Sequence, residues 1–187
     1  YAVSGNKVSI INAFPANEMK VLKNLEFADL INNIFLNENK LIVFLNHYEY
    51  FEGSGCVTPM YGAELSVRMP CYGGYSREET KVIIYDVNDH ENPTQEKEFT
   101  VSGNYNDARM VGNYVYLISS KYISLNNFEL PYYYDGIEKF VIEPAQIRYF
   151  DYSDSSYVMN LFTAIDFFND TATTEIYTLG SSYTFYV

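Results

Sequence analysis

The run that decides the fold is Lys81-Val-Ile-Ile-Tyr-Asp-Val87, which the turn-forming residues Asn88-Asp-His-Glu-Asn-Pro93 follow. A short β-branched and aromatic run closed by such residues is typical of a strand and its turn. A run of the same kind, Lys7-Val-Ser-Ile-Ile-Asn-Ala13, ends at Phe14-Pro-Ala-Asn17. The sequence therefore predicts two similar strands, each with a turn after it.

These two runs belong to a longer internal repeat. Residues 7–48 align without a gap onto residues 81–122, an offset of 74. A third, partial copy places residues 177–183 on 99–105, an offset of 78. A strand pattern shared over roughly 40 positions indicates a duplicated unit.

Each copy contains four predicted strands. They are 7–13, 20–27, 30–37 and 40–47, then 81–87, 95–101, 105–111 and 114–120. Four short strands in a unit of about 40–45 residues are typical of a β-propeller blade, whereas a sandwich does not repeat a four-strand unit. The sequence therefore predicts an all-β protein, a β-propeller fragment with four-stranded antiparallel blades.

Several stretches resemble one known family, the secreted β-propeller proteins of archaea and some bacteria, which are distantly related to WD-repeat propellers. The resemblance is carried by residues 82–94, 98–105, 107–117, 151–157 and 180–187. It implies the propeller fold and an extracellular or cell-surface location, and it assigns no catalytic residue.

The strand order usual in such propellers divides the chain into blades. We expect residues 1–27 to end a preceding blade and residues 181–187 to begin a following one. Between them lie a blade over 28–102 with an insertion at 48–80, and a blade over 103–180 with an insertion at 121–161. Both insertions join a second strand to a third and thus emerge on one face of the ring.

Charge and hydropathy narrow the range of partners. The 187 residues include 24 acidic and 12 basic side chains, a formal net charge of −12, which argues against nucleic acid and anionic membranes. The longest apolar run, Leu41-Ile-Val-Phe-Leu45, is far shorter than the roughly 20 residues of a membrane-spanning helix. We therefore expect a protein or glycan partner and no transmembrane segment.

The two insertions contain 12 of the 20 tyrosines. Tyrosine offers a large contact area, a polar tip and little loss of rotamer entropy, which suits a recognition surface. The predicted ligand-binding residues are Tyr132, Tyr133, Tyr134, Tyr149, Tyr152, Tyr61 and Tyr72. The same rings could instead pack the insertions onto the blades, and the sequence leaves both interpretations open.

Asp107 and Arg109 lie two residues apart on a predicted innermost strand, so their side chains point the same way. They could face a ligand in the central channel. The favoured interpretation is a structural, inter-strand ion pair that fixes the register of the blade.

Two groups of residues could bind a metal ion. The oxygens of Asp86-Val-Asn-Asp-His-Glu91 suit calcium, but Asp and Asn also favour turns, and the turn is the stronger interpretation. His47, Glu49 and Glu52 resemble half of a metal site without a third ligand at a telling spacing. We therefore predict no metal site and no cofactor.

No motif identifies a catalytic residue. Gly53-Ser-Gly-Cys56 lacks the Gly-x-Ser-x-Gly elbow of the α/β-hydrolases. The leading hypothesis is a non-catalytic recognition or scaffold propeller that binds protein or glycan through the tyrosine-rich loops. The alternative is a polysaccharide-acting hydrolase or lyase that uses the same face, since carboxylate pairs are not visible in sequence.

Cys56 and Cys71 are the only cysteines and lie in the same insertion. In the oxidising location that the resemblance implies, they predict a disulfide. Two free thiols or a pair of metal ligands are the alternatives.

Residues 169–179 have two interpretations. The run Asn169-Asp-Thr-Ala-Thr-Thr-Glu-Ile-Tyr-Thr-Leu179 matches the in-frame translation of a common sequencing-adapter oligonucleotide, which suggests a chimeric gene assembly. A threonine-rich segment also has high β-propensity, so the second interpretation is a genuine strand.

Overall fold

A computed structural model of the chain describes residues 1–51, 75–123, 128–151, 157–178 and 180. Within these ranges the regular structure consists of β-strands and two three-residue 3-10 helices, at Ala16–Glu18 and Pro144–Gln146. The predicted all-β class is confirmed.

The strands form three sheets. In chain order the strands are β1 Ala2–Ser4, β2 Lys7–Asn12, β3 Lys20–Glu26, β4 Leu30–Asn37, β5 Lys40–Phe51, β6 Tyr75–Asp86, β7 Thr94–Ser102, β8 Asn104–Val111, β9 Tyr114–Tyr122, β10 Tyr132–Asp135, β11 Glu138–Val141, β12 Ile147–Tyr149, β13 Val158–Asp166 and β14 Thr171–Thr178. The sheet orders are β1-β2-β3, then β11-β10-β7-β6-β5-β4, then β12-β14-β13-β9-β8. We call them the first, second and third sheets.

The chain divides into two compact units. One comprises Tyr1–His47 with Glu78–Val187, and the other is Tyr48–Arg77. In the described part of the smaller unit, Arg77 Nη1 lies 3.4 Å from Glu49 Oε2, and its guanidinium lies 4.9 Å from the centre of the Phe51 ring.

The duplication inferred from the sequence is present in the pairing of β2 with β3 and of β6 with β7. Lys7 lies opposite Glu26, and the register shifts between Ile10 and Ile11. The β6–β7 pair has its register shift between Ile84 and Tyr85, at the same offset of 74. A bulge disrupts the ladder and bends the strand at a defined position, so two bulges at equivalent positions indicate equivalent strand pairs.

The pairing of β4 with β5 and of β8 with β9 shows the same correspondence. In β4 the register shifts between Ile31 and Asn33, and in β8 between Tyr105 and Asp107. The side-chain oxygen of the residue after each bulge accepts the next backbone N–H at 2.8 Å, from Ile34 in β4 and from Ala108 in β8. The repeat thus extends to the local hydrogen bonding.

The segment between β9 and β13 forms strands in two different sheets. Hairpin β10–β11 pairs with β7 at an edge of the second sheet, and β12 pairs in parallel with β14 at an edge of the third. An unpaired sheet edge exposes a row of backbone N–H and C=O groups. This segment supplies hydrogen-bond partners for part of such an edge in each of the two sheets. The second predicted insertion thus contains the strands β10, β11 and β12, and the division into blades stays a prediction.

The apolar run Leu41–Leu45 of β5 is buried along its whole length. Leu41, Val43 and Leu45 join a core with the first sheet, whereas Ile42 and Phe44 join a second core with the third sheet. Side chains of a strand alternate between the two faces of its sheet, so an uninterrupted apolar run is what a sheet covered on both faces requires. The second sheet is this middle layer.

Gly103 occupies a constrained position between β7 and β8. Its φ is +97°, and a Cβ built there would lie 2.7 Å from the carbonyl oxygen of Ser120. The backbone is held on both sides, because Gly103 N donates to Glu78 O at 2.7 Å and Thr80 Oγ1 donates to Gly103 O at 2.8 Å. Only glycine fits this conformation without moving β9.

We predict that Gly103→Ala lowers the free energy of unfolding by roughly 3 kcal/mol, from backbone strain and overpacking together. Gly112→Ala is the matched control, because Gly112 also has a positive φ, +57°, but has no atom within 4 Å of a built Cβ. The control should lose only about 1 kcal/mol. Urea denaturation of both variants checks this, and equal losses would show that the contact with Ser120 is unimportant.

Candidate functional site

Tyr132, one of the predicted ligand-binding residues, is buried. Only 1% of the residue is accessible, and its hydroxyl donates to Glu79 Oε1 at 2.6 Å. Its backbone N–H donates to Ser102 Oγ at 3.0 Å, which adds a hydrogen bond between β10 and the end of β7. A buried ring cannot contact a partner, and Tyr132 is therefore a packing residue.

The other aromatic residues of the β10–β11 hairpin are more accessible. Tyr133 and Tyr134 are half-buried, and Tyr133 stacks on Phe140 with ring centres 5.0 Å apart and an interplanar angle of 14°. Lys139 Nζ lies 3.8 Å from the centre of the Tyr132 ring, a cation–π contact. The hairpin thus presents a partly exposed aromatic surface on a rigid support.

Tyr149 is the most exposed of the predicted residues that the structure describes, with 75% of its surface accessible. It lies at the end of β12, opposite Thr178 of β14. The preceding residue, Arg148, contacts Glu175 at 3.3 Å, and its carbonyl accepts from Thr178 Oγ1 at 3.2 Å. An ordered strand therefore holds an exposed ring beside a charged side chain.

Six other candidate residues from the sequence lie outside the described part of the chain. They are Tyr61, Tyr72, Tyr152, Cys56, Cys71 and Glu52. The roles of the tyrosines in ligand binding and of the cysteines in a disulfide stay predictions.

Asp107 and Arg109 contact each other within β8. Arg109 Nη1 lies 3.1 Å from Asp107 Oδ1, and the same oxygen accepts from Ala108 N at 2.8 Å. The pair lies at the bulge of β8, where it supports the local backbone. The contact joins two residues of one strand and not residues of two strands.

The Asp86–Glu91 segment has the hydrogen bonding of a turn. Asp86 Oδ1 accepts from Asn88 N at 2.8 Å, and Asp89 Oδ1 accepts from Glu91 N at 3.0 Å. The hydrogen bond from the Asn92 side chain, helped by the Glu91 N–H, holds the pKa of Asp89 below its usual value. N–H donors thus already occupy these carboxylate oxygens, which explains why Asp and Asn are there.

His47 contacts a carboxylate that sequence reasoning missed. Its Nδ1 lies 2.9 Å from Asp29 Oδ2, and Lys81 Nζ lies 3.9 Å from the same oxygen. Asp29 directly precedes β4 and lies next to the Leu30–Asn46 pair of the β4–β5 hairpin, so the strand register brings it to His47, whereas Lys81 comes from β6. Among the described residues, no group of three or more His, Cys, Asp or Glu side chains is arranged to hold a metal ion.

No helix in the described part of the chain is long and apolar enough to cross a membrane.

Comparison with known proteins identifies a family. The family model described as "Beta propeller domain" matches residues 1–187. No curated protein and no solved structure matches the chain significantly.

We predict that Tyr132→Phe lowers the free energy of unfolding by about 1.5–3 kcal/mol, because it leaves the buried Glu79 carboxylate without its hydroxyl donor. Tyr134→Phe is the control, since Tyr134 lies on the same strand and is half-buried. It should change stability by less than about 0.5 kcal/mol. Chemical denaturation measures both, and an unchanged Tyr132→Phe variant would show that the hydrogen bond to Glu79 contributes nothing.

Proposed function

This chain belongs to the β-propeller domain family, and we propose that it is a non-catalytic recognition or scaffold module that binds protein or glycan through its aromatic segment. Propeller domains in general serve in binding or as scaffolds. The sequence-predicted architecture of four-stranded blades with insertions between their second and third strands is part of this proposal.

The observation that carries the proposal is the exposed Tyr149 on an ordered strand. Strand pairing already holds the backbone of Tyr149. Only the side-chain torsions of the ring therefore lose conformational entropy when a ligand covers it. Tyrosine is among the residue types enriched where binding energy concentrates. The half-buried Tyr133 and Tyr134 supply further aromatic surface on β10.

The charge of the chain restricts the ligand. With a net charge of −12, the protein repels polyanions at long range. Neutral glycans and neutral or basic protein surfaces do not meet this repulsion. We therefore favour an uncharged polysaccharide or a protein that is not strongly acidic.

The proposed location is outside the cytoplasm, at the cell surface or in the medium. It rests on the family resemblance, which describes secreted proteins. An aromatic recognition surface is useful there, because glycans and the surfaces of other proteins are accessible.

To test the binding surface, the protein and its Tyr149→Ala variant should be screened on a glycan array and on an array of extracellular proteins. We expect a ligand whose affinity falls at least about tenfold in Tyr149→Ala, the loss typical of an aromatic anchor. Phe14→Ala is the control, since Phe14 is 85% exposed on the β2–β3 connection, and it should bind normally. Equal affinities of the three proteins would refute the proposed surface, and turnover of a bound polysaccharide would favour the enzyme.

The proposed location is oxidising, and we therefore also propose a disulfide between Cys56 and Cys71. Closing a loop of about 15 residues would stabilise this part of the chain by roughly 3 kcal/mol in the chain-entropy model. We expect thiol titration of the denatured, unreduced protein to find no free sulfhydryl, and mass spectrometry of a digest to find the linked peptides. Two free sulfhydryls in protein secreted by its host would contradict the prediction.

A further inference from the structure

The outer strands of the second and third sheets are both covered by additional strands. Counted from β4 and from β8, strands β7 and β14 are the fourth strands of their sheets. On the far side, β10 pairs with β7, and β12 pairs with β14. In the described part of the chain, the first sheet ends at β3. Its outer edge therefore lacks the kind of strand that covers the other two.

The repeat relates β3 to β7 residue by residue. Lys23 lies opposite Ile10, immediately before the register shift of the β2–β3 pair. Lys97 lies opposite Ile84 at the same point of the β6–β7 pair. The two lysines and the two isoleucines are each separated by the offset of 74. The contacts that β7 makes with β10 can therefore be transferred to named positions of β3.

The backbone of β3 presents the groups that an added strand needs. Phe27 N donates to Asn6 O at 2.9 Å, toward the β2 side of the strand. The N–H and C=O groups of alternate residues in an antiparallel strand point to opposite sides. Those of Glu26 and Asn24 therefore point away from β2. An edge with groups of this kind can pair with a strand of another chain.

The equivalent edge of β7 is used by both backbone and side chains. Glu98 O accepts from Gly136 N at 3.0 Å, just after β10, and Lys97 Nζ lies 2.6 Å from Asp135 Oδ1 of β10. Lys23, the equivalent of Lys97, is exposed. Among the described residues, no carboxylate lies within ion-pair distance of Lys23. The edge of β3 thus lacks the acidic side chain as well as the strand that carries it.

We propose that the outer edge of β3 binds an extended segment of a partner protein, antiparallel to β3, and that an acidic side chain of this segment pairs with Lys23. In the register that β10 has on β7, the acidic residue lies opposite Leu25, and the residue two positions before it lies opposite Phe27. Tyr133, which has that second position in β10, packs against a buried core. The segment therefore has an aromatic or aliphatic residue there.

Charge also favours an acidic partner segment at this edge. The strand β3 contains Lys20, Lys23 and one acidic residue, Glu26, and both lysines are exposed. This local positive charge contrasts with the net charge of −12 of the chain. A second copy fits less well, because each copy holds its β10–β11 hairpin on its own β7 and the two copies repel each other. The edge belongs to the first sheet and Tyr149 to the third, so either surface can fail its test without the other.

A synthetic peptide of residues 131–142 is the probe, because it carries the contacts that β7 makes with β10 and β11. We expect the labelled peptide to bind the protein in fluorescence anisotropy. Lys23→Glu should weaken this binding at least about fivefold, since Asp135 of the peptide would meet a like charge. A peptide with Asp135→Lys should show the reverse preference and bind the Lys23→Glu protein more tightly than the original one.

Lys20→Glu is the matched control, because it makes the same change of charge at an exposed position of β3 that lies beyond the β10 register. It should change the affinity less than about twofold. Hydrogen exchange supplies a second readout, since the peptide should slow exchange at the amides of Asn24 and Glu26.

Three results would overturn the proposal. The first is no binding at up to about 1 mM peptide, or equal weakening by Lys20→Glu and Lys23→Glu. The second is slow exchange at Asn24 and Glu26 before the peptide is added, which would show that another part of the chain covers this edge. The third is a concentration-dependent dimer in sedimentation that Lys23→Glu abolishes, which would assign the edge to a second copy.

Discussion

The whole larger unit depends on the burial of one sheet from both sides. Strands β5 and β6 are neighbours in the interior of the second sheet, and their side chains pack alternately into two separate cores. Neither core could form without the sheet that supplies its other half, since a sheet face stabilises only when apolar area is removed from water. The three sheets are thus linked in series through the second sheet.

Because the three sheets pack one on the next, the register of each strand in the second sheet is critical. A one-residue slip in β5 would exchange the residues that face the first sheet for those that face the third. The bulge of β4 between Ile31 and Asn33 sets the register of β5, and β8 carries the equivalent bulge between Tyr105 and Asp107. The repeat therefore preserves strand register, and this register determines which face each apolar residue joins.

The tyrosine-rich segment contains both buried residues that pack in the fold and residues that are accessible to solvent. Tyr132 is buried, half-buried Tyr133 stacks on Phe140, and Tyr149 extends from a sheet edge. Successive residues of a strand point to opposite sides, which puts Tyr132 and Tyr134 together on one side of β10. One of these rings is nevertheless buried and the other half-buried, so the accessibility of each ring depends on what packs over it.

Local pattern in the sequence was enough to predict the β-class, the duplication and the position of most strands. Runs such as residues 7–13 and 81–87 have strand composition between strong turn signals, and Asp86 and Asp89 make the turn hydrogen bonds that their residue types favour. The interaction of Asp107 with Arg109 follows from their two-residue spacing. These features depend on neighbours in the chain, which a sequence displays directly.

Long-range contacts decided the rest. The sequence does not show that β10–β11 and β12 join different sheets, that Tyr132 is buried against Glu79, or that Lys81 approaches Asp29. Backbone pairing at a sheet edge is independent of side-chain pattern, and the burial of a ring depends on what packs above it. Tyrosine content therefore predicted only a candidate recognition segment, whereas the tertiary structure decided which of its described rings are accessible.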